Sequence, residues 1–268
     1  MHVRLALLCA ASLAVSACGG TRLVKQAAPV PDAERPLALA ADAALAAQLD
    51  FVVVRNGPGA WAKNGDWDEY LLRVRNTSAG PVELLSVEVT DSSGHTAGYL
   101  DDRAALVKAS RQTARRYRAS GVRVAAGRGG AGLVAAGVGA GVVGYGATAA
   151  SAVGAALGGG AGSGAAAAAG GLLLAAPVLV GVGILRMVNN GKVDNRIESR
   201  ATALPLAIPA GADAQLDVFF PISPSPQRVT LRYRDAQGDH QLEIDTRQIL
   251  AGLHLATPPQ ATDATGAP

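Results

Sequence analysis

An uncharged segment in the middle of the chain constrains its possible folds more than any other feature. From Gly129 to Leu185 there is no Asp, Glu, Lys, Arg or His, and 18 of these 57 residues are glycine. About twenty apolar residues cross the hydrocarbon core of a bilayer, so the segment has room for two crossings and a connection. An even number of crossings returns the chain to its starting side. We therefore predict a Gly/Ala-rich hydrophobic helical hairpin over residues 123–189.

Several glycines in this segment are spaced four residues apart, which places them on one face of a helix. Bare backbone on such a face lets two helices approach closely, as in the glycine-zipper packing of membrane helices. The predicted helix-packing residues are Gly137, Gly141, Gly154, Gly158, Gly160 and Gly164. Three interpretations remain open: a hairpin inserted in lipid, a hairpin packed on another protein or on copies of itself, and flexible low-complexity sequence.

Two β-rich blocks lie on either side of this insertion. Residues 48–100 contain three apolar or alternating runs, and residues 190–255 contain four shorter ones, separated by Asn, Gly, Pro and Asp turns. Three strands alone bury little surface, whereas seven can form two sheets with a common interior. The sequence therefore predicts a mainly β fold with an α insertion, an antiparallel β-sandwich with one half from each block.

A basic segment, residues 101–122, precedes the hairpin and is predicted to be helical. Asp101 or Asp102 would cap its start and Gly121 would end it, and no acidic residue follows Asp102 within the segment. Beside a membrane segment such a helix can contact anionic lipid head groups, while a solvated helix is the alternative. The candidate contacts are Arg115, Arg116, Arg118, Arg123 and Arg128.

The N-terminus has the three parts of a bacterial export signal. Arg4 supplies positive charge, residues 5–15 are apolar, and Val15-Ser16-Ala17-Cys18 resembles a lipobox. This resemblance to lipoproteins of the Gram-negative cell envelope implies a signal peptide over residues 1–17 and covalent acyl chains on Cys18, with no other cofactor. An ordinary secretory signal, with an incidental Cys18, is the alternative.

The residues after the signal bear on location. Gly19 occupies the position where aspartate retains lipoproteins in the inner membrane, so the resemblance implies a lipid-anchored protein of the outer membrane that faces the periplasm. Residues 18–47 are predicted to be a tether, within which Leu37 to Leu49 could instead form a short helix. Residues 256–268 are predicted to be a disordered tail.

Three short motifs in the β-rich blocks resemble the immunoglobulin-like sandwich of many bacterial envelope lipoproteins. They are Arg75-Asn76-Thr77-Ser78, Val87-Glu88-Val89-Thr90-Asp91-Ser92-Ser93-Gly94 and Ile208-Pro209-Ala210-Gly211. The resemblance implies an immunoglobulin-like β-sandwich that binds, spaces or scaffolds and suggests no enzyme. The Cys-Trp-Cys arrangement of antibody domains is absent from the sequence.

No catalytic or metal-binding motif is found. His95, His240 and His254 lack metal-ligand spacing, and no nucleophile elbow or phosphate loop is present. The formal charge of +3 falls to +2 without the signal, which predicts no nucleic-acid partner. No small-molecule substrate can be identified. An enzyme would need a buried acid or histidine pair formed between the two β-rich blocks.

Trp61 and Trp67 are the candidate partner-binding residues, because exposed aromatic side chains in loops often serve recognition. They accompany Asp66, Asp68 and Glu69, which would form either a calcium or ligand loop or a polar hairpin tip with partly buried indoles. The predicted function is that of a non-catalytic membrane-associated scaffold or assembly factor. The alternative is a periplasmic protein-binding accessory module whose insert self-associates without entering lipid.

Overall fold

The computed structural model describes residues 21–26, 29–30, 36–127 and 190–256. Eleven strands and two helices lie within these ranges. In chain order they are β1 (Arg22–Leu23), β2 (Ala38–Ala41), β3 (Leu45–Val53), β4 (Ala62–Lys63), β5 (Trp67–Asn76), β6 (Val82–Thr90), β7 (Thr96–Gly98), α1 (Arg103–Ala119), α2 (residues 190–200), β8 (Leu206–Ile208), β9 (Asp213–Pro221), β10 (Arg228–Asp235) and β11 (Gly238–Asp245). Most of the predicted hairpin, from residue 128 to 189, is outside the described ranges.

Two antiparallel sheets enclose the main hydrophobic core. The first has the strand order β2-β3-β5-β9, and the second has the order β11-β10-β6 with β7 and β8 along the far edge of β6. The strands form because apolar residues alternate with polar ones: on β5, Leu72 and Val74 are buried while Arg73 and Arg75 are exposed. Inward side chains of both sheets belong to one cluster.

Each sheet combines strands from both β-rich blocks. In the first sheet β5 pairs with β9, and in the second β6 pairs with β10. All seven predicted strand regions are strands, and α1 lies within the predicted basic helix. Asp102 caps α1 by accepting a hydrogen bond from the Ala105 N–H, and Gly121 follows the helix with φ of 78°. The prediction of a mainly β, antiparallel fold is confirmed.

The prediction of a tether over residues 18–47 is wrong for much of that range. β1 pairs with β4, and β2 with β3, so that the sheet begins at Ala38. The alternative of a helix from Leu37 to Leu49 is also wrong. Leu45, Ala47 and Leu49 are buried and the residues between them are less so, which is a period of two. Alanine masks this alternation because it is small and only weakly apolar.

The predicted second half of the sandwich also starts too early, at residue 190. The chain there is helical up to residue 200, and the first strand of this block is β8. The helices α1 and α2 pack with the outer side of the first sheet in a second, smaller cluster. This outer cluster consists of Trp61, Ala62, Trp67, Leu106, Val193, Ile197 and Phe219. Of its two helices, α1 precedes the insert and α2 follows it.

Candidate functional site

The chain that leads into the insert is fixed to the C-terminal segment before it leaves the described residues. Val124 forms a β-bridge with Leu255, and the Ala125 N–H donates to the His254 carbonyl over 2.7 Å. The Ala256 N–H donates to the Arg123 carbonyl over 3.0 Å. These backbone contacts make residues 123–127 a short arm held against the sandwich rather than a free linker.

Gly127 ends this arm in a position that only glycine accepts. Its φ is +71°, and a Cβ atom there would lie 2.2 Å from the carbonyl oxygen of Arg55. Its N–H donates to Nδ1 of His254 over 3.0 Å. The insert therefore starts from a fixed point beside the turn that follows β3.

His254 joins the arm to the first sheet through a buried pair with Asp68. The His254 Nε2 to Asp68 Oδ2 distance is 2.7 Å, and the two side chains are 0% and 1% exposed. Because Nδ1 accepts the Gly127 N–H, the neutral imidazole carries its proton on Nε2 and donates it to the carboxylate. The pair thus fixes both the imidazole and the backbone around it.

An enzyme would need a buried acid or histidine pair formed between the two β-rich blocks, and Asp68 and His254 are such a pair. Both ring nitrogens of His254 are engaged, one by Gly127 and one by Asp68, so neither is presented to a substrate. Asp68 Oδ1 and the Tyr70 hydroxyl have no hydrogen-bond partner among the described residues. Burial, and then the Asp68 charge, raise the pKa of Tyr70 well above its usual range. The geometry indicates a structural role, and we call the Asp68–His254 pair the clasp.

The chain that returns from the insert is fixed as well, through α2. Val193 and Ile197 are fully buried in the outer cluster, and Arg103 of α1 contacts Asp194 at 2.5 Å. At the other end of α2, Arg200 bridges two carboxylates of the first sheet, Glu69 at 2.6 Å and Asp217 at 3.3 Å. Both attachments of the insert are therefore built into the folded body.

Glu69 links α2 to the tryptophans of the outer cluster. Its Oε1 accepts from Arg200, and its Oε2 accepts from the Trp61 Nε1–H over 2.8 Å. Burial raises the pKa of Glu69, while Arg200 and the Trp61 hydrogen bond oppose that rise. A small cleft of about 20 Å³ lies beside Trp61 and Glu69, roughly the room that a single water needs.

The predicted exposure of the tryptophans is wrong. Trp61 and Trp67 are only 7% and 5% exposed, with ring centroids 6.1 Å apart, and they pack under the two helices. They are core residues, and no exposed aromatic surface results. The neighbouring acids do not form a metal loop either. Asp66 pairs with Arg55 while Asp68 and Glu69 are paired as above, and no metal-binding group of acids, histidines and cysteines occurs in the described ranges.

One face of α1 packs on the sandwich through both polar and apolar side chains. Sequence periodicity predicts this face but not the residues that it contacts. Ser110 Oγ donates to the Asp66 carbonyl over 2.5 Å and accepts from the Ile222 N–H over 2.9 Å. The Tyr117 hydroxyl lies 2.9 Å from Ser92 Oγ. These bonds, together with the burial of Leu106, determine which face of α1 points outward.

That outward face is a row of cations, defined here as the cationic stripe. Its residues are Lys108, Arg111, Arg115 and Arg118, all exposed and opposite the buried face at helical spacing. None of these four forms an ion pair within the described residues, and the sequence has no Asp or Glu between Asp102 and Asp194. The stripe is therefore uncompensated positive charge.

The predicted lipid-contact residues fall into different environments. Arg115 and Arg118 belong to the cationic stripe and Arg123 is exposed on the arm. Arg116 turns toward Thr113 and the buried Asp91, 3.8 Å away, and so lies off the stripe. Arg128 is outside the described residues.

Two groups of predicted residues lie beyond the described ranges, namely Cys18 and the six helix-packing glycines Gly137, Gly141, Gly154, Gly158, Gly160 and Gly164. In the part of the chain that is described, no helix is both long and apolar enough to cross a membrane. Comparison with protein families, curated proteins and solved structures gives no significant match for this chain.

Proposed function

We propose that this protein is a non-catalytic, acylated lipoprotein of the outer membrane that faces the periplasm and acts as a membrane-associated scaffold or assembly factor. The observation that carries the proposal is the fixing of the insert at both attachments. Gly127 and His254 hold one side, and α2 with Arg200 holds the other. A loop that merely connects strands has no need of such supports, whereas a working segment benefits from a rigid base.

The envelope part of the proposal is supported by the sequence around Cys18. The positive start, the short apolar run and the small residues before the cysteine suit cleavage and acylation, and Gly19 suits transfer to the outer membrane. The glycine pairs of the insert suit close packing between helices in lipid or between copies of the chain. Its partners would be membrane lipid and either a second protein or further copies of itself.

The immunoglobulin-like character of the sandwich is proposed from its strand order. In such folds strands A, B and E are neighbours in one sheet, and G, F and C are neighbours in the other. Assigning β3, β5 and β9 to A, B and E, and β11, β10 and β6 to G, F and C, satisfies both orders. The insertion then lies between strands C and E, where a connection crosses from one sheet to the other.

The test is alkaline-carbonate extraction of envelopes from cells that export a Cys18→Ala chain behind a cleavable secretory signal. Two versions are compared, one with the insert and one in which residues 129–185 are deleted. Retention of the first in the floating membrane fraction and release of the second would support a lipid-embedded hairpin. Release of both would overturn it, because the acyl chains would then be the only integral membrane anchor.

One feature favours a second candidate, the accessory module whose insert self-associates outside lipid. The first predicted helix of the hairpin, residues 130–149, is apolar mainly through Ala, Gly and Val, and Leu133 is its only leucine. Small side chains favour helix contact more than lipid solvation. Release from membranes together with crosslinking of copies through the insert would support this candidate over the first.

A further inference from the structure

Residues 21–24, which follow Cys18 closely, lie on the folded body. β1 pairs with β4, the Val24 N–H donates to the Trp61 carbonyl over 2.9 Å, and Thr21 Oγ1 donates to the Asn64 carbonyl over 3.3 Å. Cys18 precedes Arg22 by four residues, which span at most about 14 Å when fully extended. An acyl group on Cys18 would therefore hold this side of the protein close to the membrane surface.

The turn between β4 and β5 contacts the middle of α1. Arg55 contacts both Asn64 and Asp66 by side-chain hydrogen bonds, and the Asp66 carbonyl accepts from Ser110 of α1. Trp61, just before β4, shares the outer cluster with Leu106 of α1. The β1–β4 pair and its neighbouring residues form an exposed amphipathic surface suited to an interface with lipid. It consists of exposed Arg22, Leu23, Val24, Lys25 and Lys63, with Leu23 and Val24 39% and 38% exposed.

We infer that the cationic stripe of α1 docks on an anionic bilayer surface and sets the orientation of the protein on it. The position of the stripe relative to the membrane rests on the proposed acylation of Cys18, but its affinity for phosphate head groups does not. Guanidinium groups bind phosphate oxygens through paired hydrogen bonds, and the uncompensated stripe offers three of them beside Lys108. No acidic side chain among the described residues competes for these cations.

An anionic membrane fits this surface better than an acidic protein does. The stripe is a single row along the exposed surface of a helix. None of the exposed residues of α1 is aromatic, so the helix lacks the kind of side chain that usually anchors a protein partner. A bilayer requires only charge, and the chain start brings it to the same side. Each cation near an anionic surface strengthens binding about fivefold, so four give a strong and salt-dependent attraction.

The test uses the full mature chain with Cys18→Ser and the insert intact. Its binding to vesicles of phosphatidylcholine alone is compared with binding to vesicles that also contain phosphatidylglycerol. The variant K108Q/R111Q/R115Q/R118Q should lose about 600-fold in partition onto the anionic vesicles, about fivefold for each of the four cations. The matched control R228Q/R232Q/R234Q/R247Q removes the same charge from ion-paired arginines on β10 and in the turn after β11, and should bind nearly as the parent does.

Orientation is tested with a single environment-sensitive dye, since no cysteine follows Cys18 in the sequence. A dye on Gln112→Cys, exposed on α1, should respond to anionic vesicles, while one on Gln241→Cys, exposed on β11, should not. Equal response at both positions would overturn the proposed orientation.

Three results would overturn the docking itself. They are equal binding to neutral and anionic vesicles, unchanged binding by the stripe variant, and an equal loss in the control. Binding to immobilised polyglutamate without binding to vesicles would assign the stripe to an acidic protein instead. Because Cys18 is replaced throughout, these results do not depend on acylation. The parent, the stripe variant and the control all carry the same insert, so the differences among them report the stripe alone, and carbonate extraction tests the hairpin separately.

Discussion

At the scale of single residues, the molecule depends on a few buried polar groups that join distant parts of the chain. Asp68 and His254 are 186 residues apart in sequence and form a fully buried pair. Such a hydrogen bond contributes modest net stability, but loss of the donor leaves a buried carboxylate unsatisfied, which is costly. The clasp is therefore a point at which a single substitution should be costly.

Replacing His254 with alanine should lower the free energy of unfolding by about 3 kcal/mol, because the buried Asp68 carboxylate loses its hydrogen-bond donor and the Gly127 N–H loses its acceptor. Urea unfolding measures this loss, and faster amide exchange in residues 123–127 should accompany it. The control is His240→Ala, since His240 pairs with Asp235 on an exposed hairpin and should matter much less. Equal effects of the two substitutions would contradict the role assigned to the clasp.

Glu69 gives a prediction for pH. Burial raises the pKa of Glu69 in the folded chain above its ordinary value of 4.5. At a pH between the unfolded and the folded pKa, the folded chain therefore binds a proton at Glu69 more tightly than the unfolded chain does. The contribution of Glu69 to the free energy of unfolding therefore rises as pH falls from neutral into this range, and it is lost as pH rises through the folded pKa. Glu69→Gln should remove this component.

Urea unfolding at a series of pH values measures the Glu69 effect as the difference between parent and variant. Glu198→Gln, at an exposed position on α2, is the matched control. Parallel pH curves for the parent and Glu69→Gln would show that the buried carboxyl has no altered proton affinity.

At the scale of elements, the two helices matter through the surfaces that they cover. α1 and α2 close the outer side of the first sheet over Trp61, Trp67 and Phe219, which would otherwise be exposed. Burial of such rings is a large apolar contribution. The helices therefore stabilise the sheet while they fix the two attachments of the insert.

Ile197→Ala should lower the free energy of unfolding by about 2–5 kcal/mol, because Ile197 is fully buried between α2 and the sheet. Amide exchange in residues 190–200 should rise more than in β5 or β9, since the cavity lies beneath the helix. Asn195→Ala, on the exposed side of α2, is the control and should change neither quantity appreciably. Uniform loosening of both sheets would indicate that α2 does not behave as a separate covering element.

At the scale of the whole molecule, the described strands of the two blocks pair directly with each other. Pairing of β5 with β9 and of β6 with β10 crosses from the first block to the second over a long intervening chain. Closing so long a connection costs entropy that rises only slowly with length. The sandwich can therefore carry a large insertion at a modest cost in stability.

Replacement of residues 128–189 by a flexible linker of about twenty residues should raise the free energy of unfolding by about 1 kcal/mol through the shorter loop. Thermal and urea unfolding measure this change, and a linker of about forty residues should give an intermediate value. Marked destabilisation by both linkers would show that the insert packs on the sandwich and that the division into sandwich and insert is wrong.

Local signals in the sequence were sufficient for the elements whose partners hardly affect their form. Alternation of apolar and polar residues predicted β5, β6, β9 and β10, and the Asp102 cap with Gly121 predicted the bounds of α1 closely. These features follow from backbone geometry and side-chain period within a few residues. They also sufficed for the mainly β class and for pairing between the blocks.

Only the tertiary structure decided which residues meet across long separations. The alanine-rich β2 and the first half of β3, up to Leu49, are strands because neighbouring strands satisfy their backbone groups, and their composition by itself favoured a tether or a helix. Trp61 and Trp67 are core residues because α2 covers them. The apolar pattern of α2 is too short to have predicted this helix. The Asp68–His254 clasp and the outward direction of the cationic stripe likewise depend on packing, for which the local sequence carries no signal.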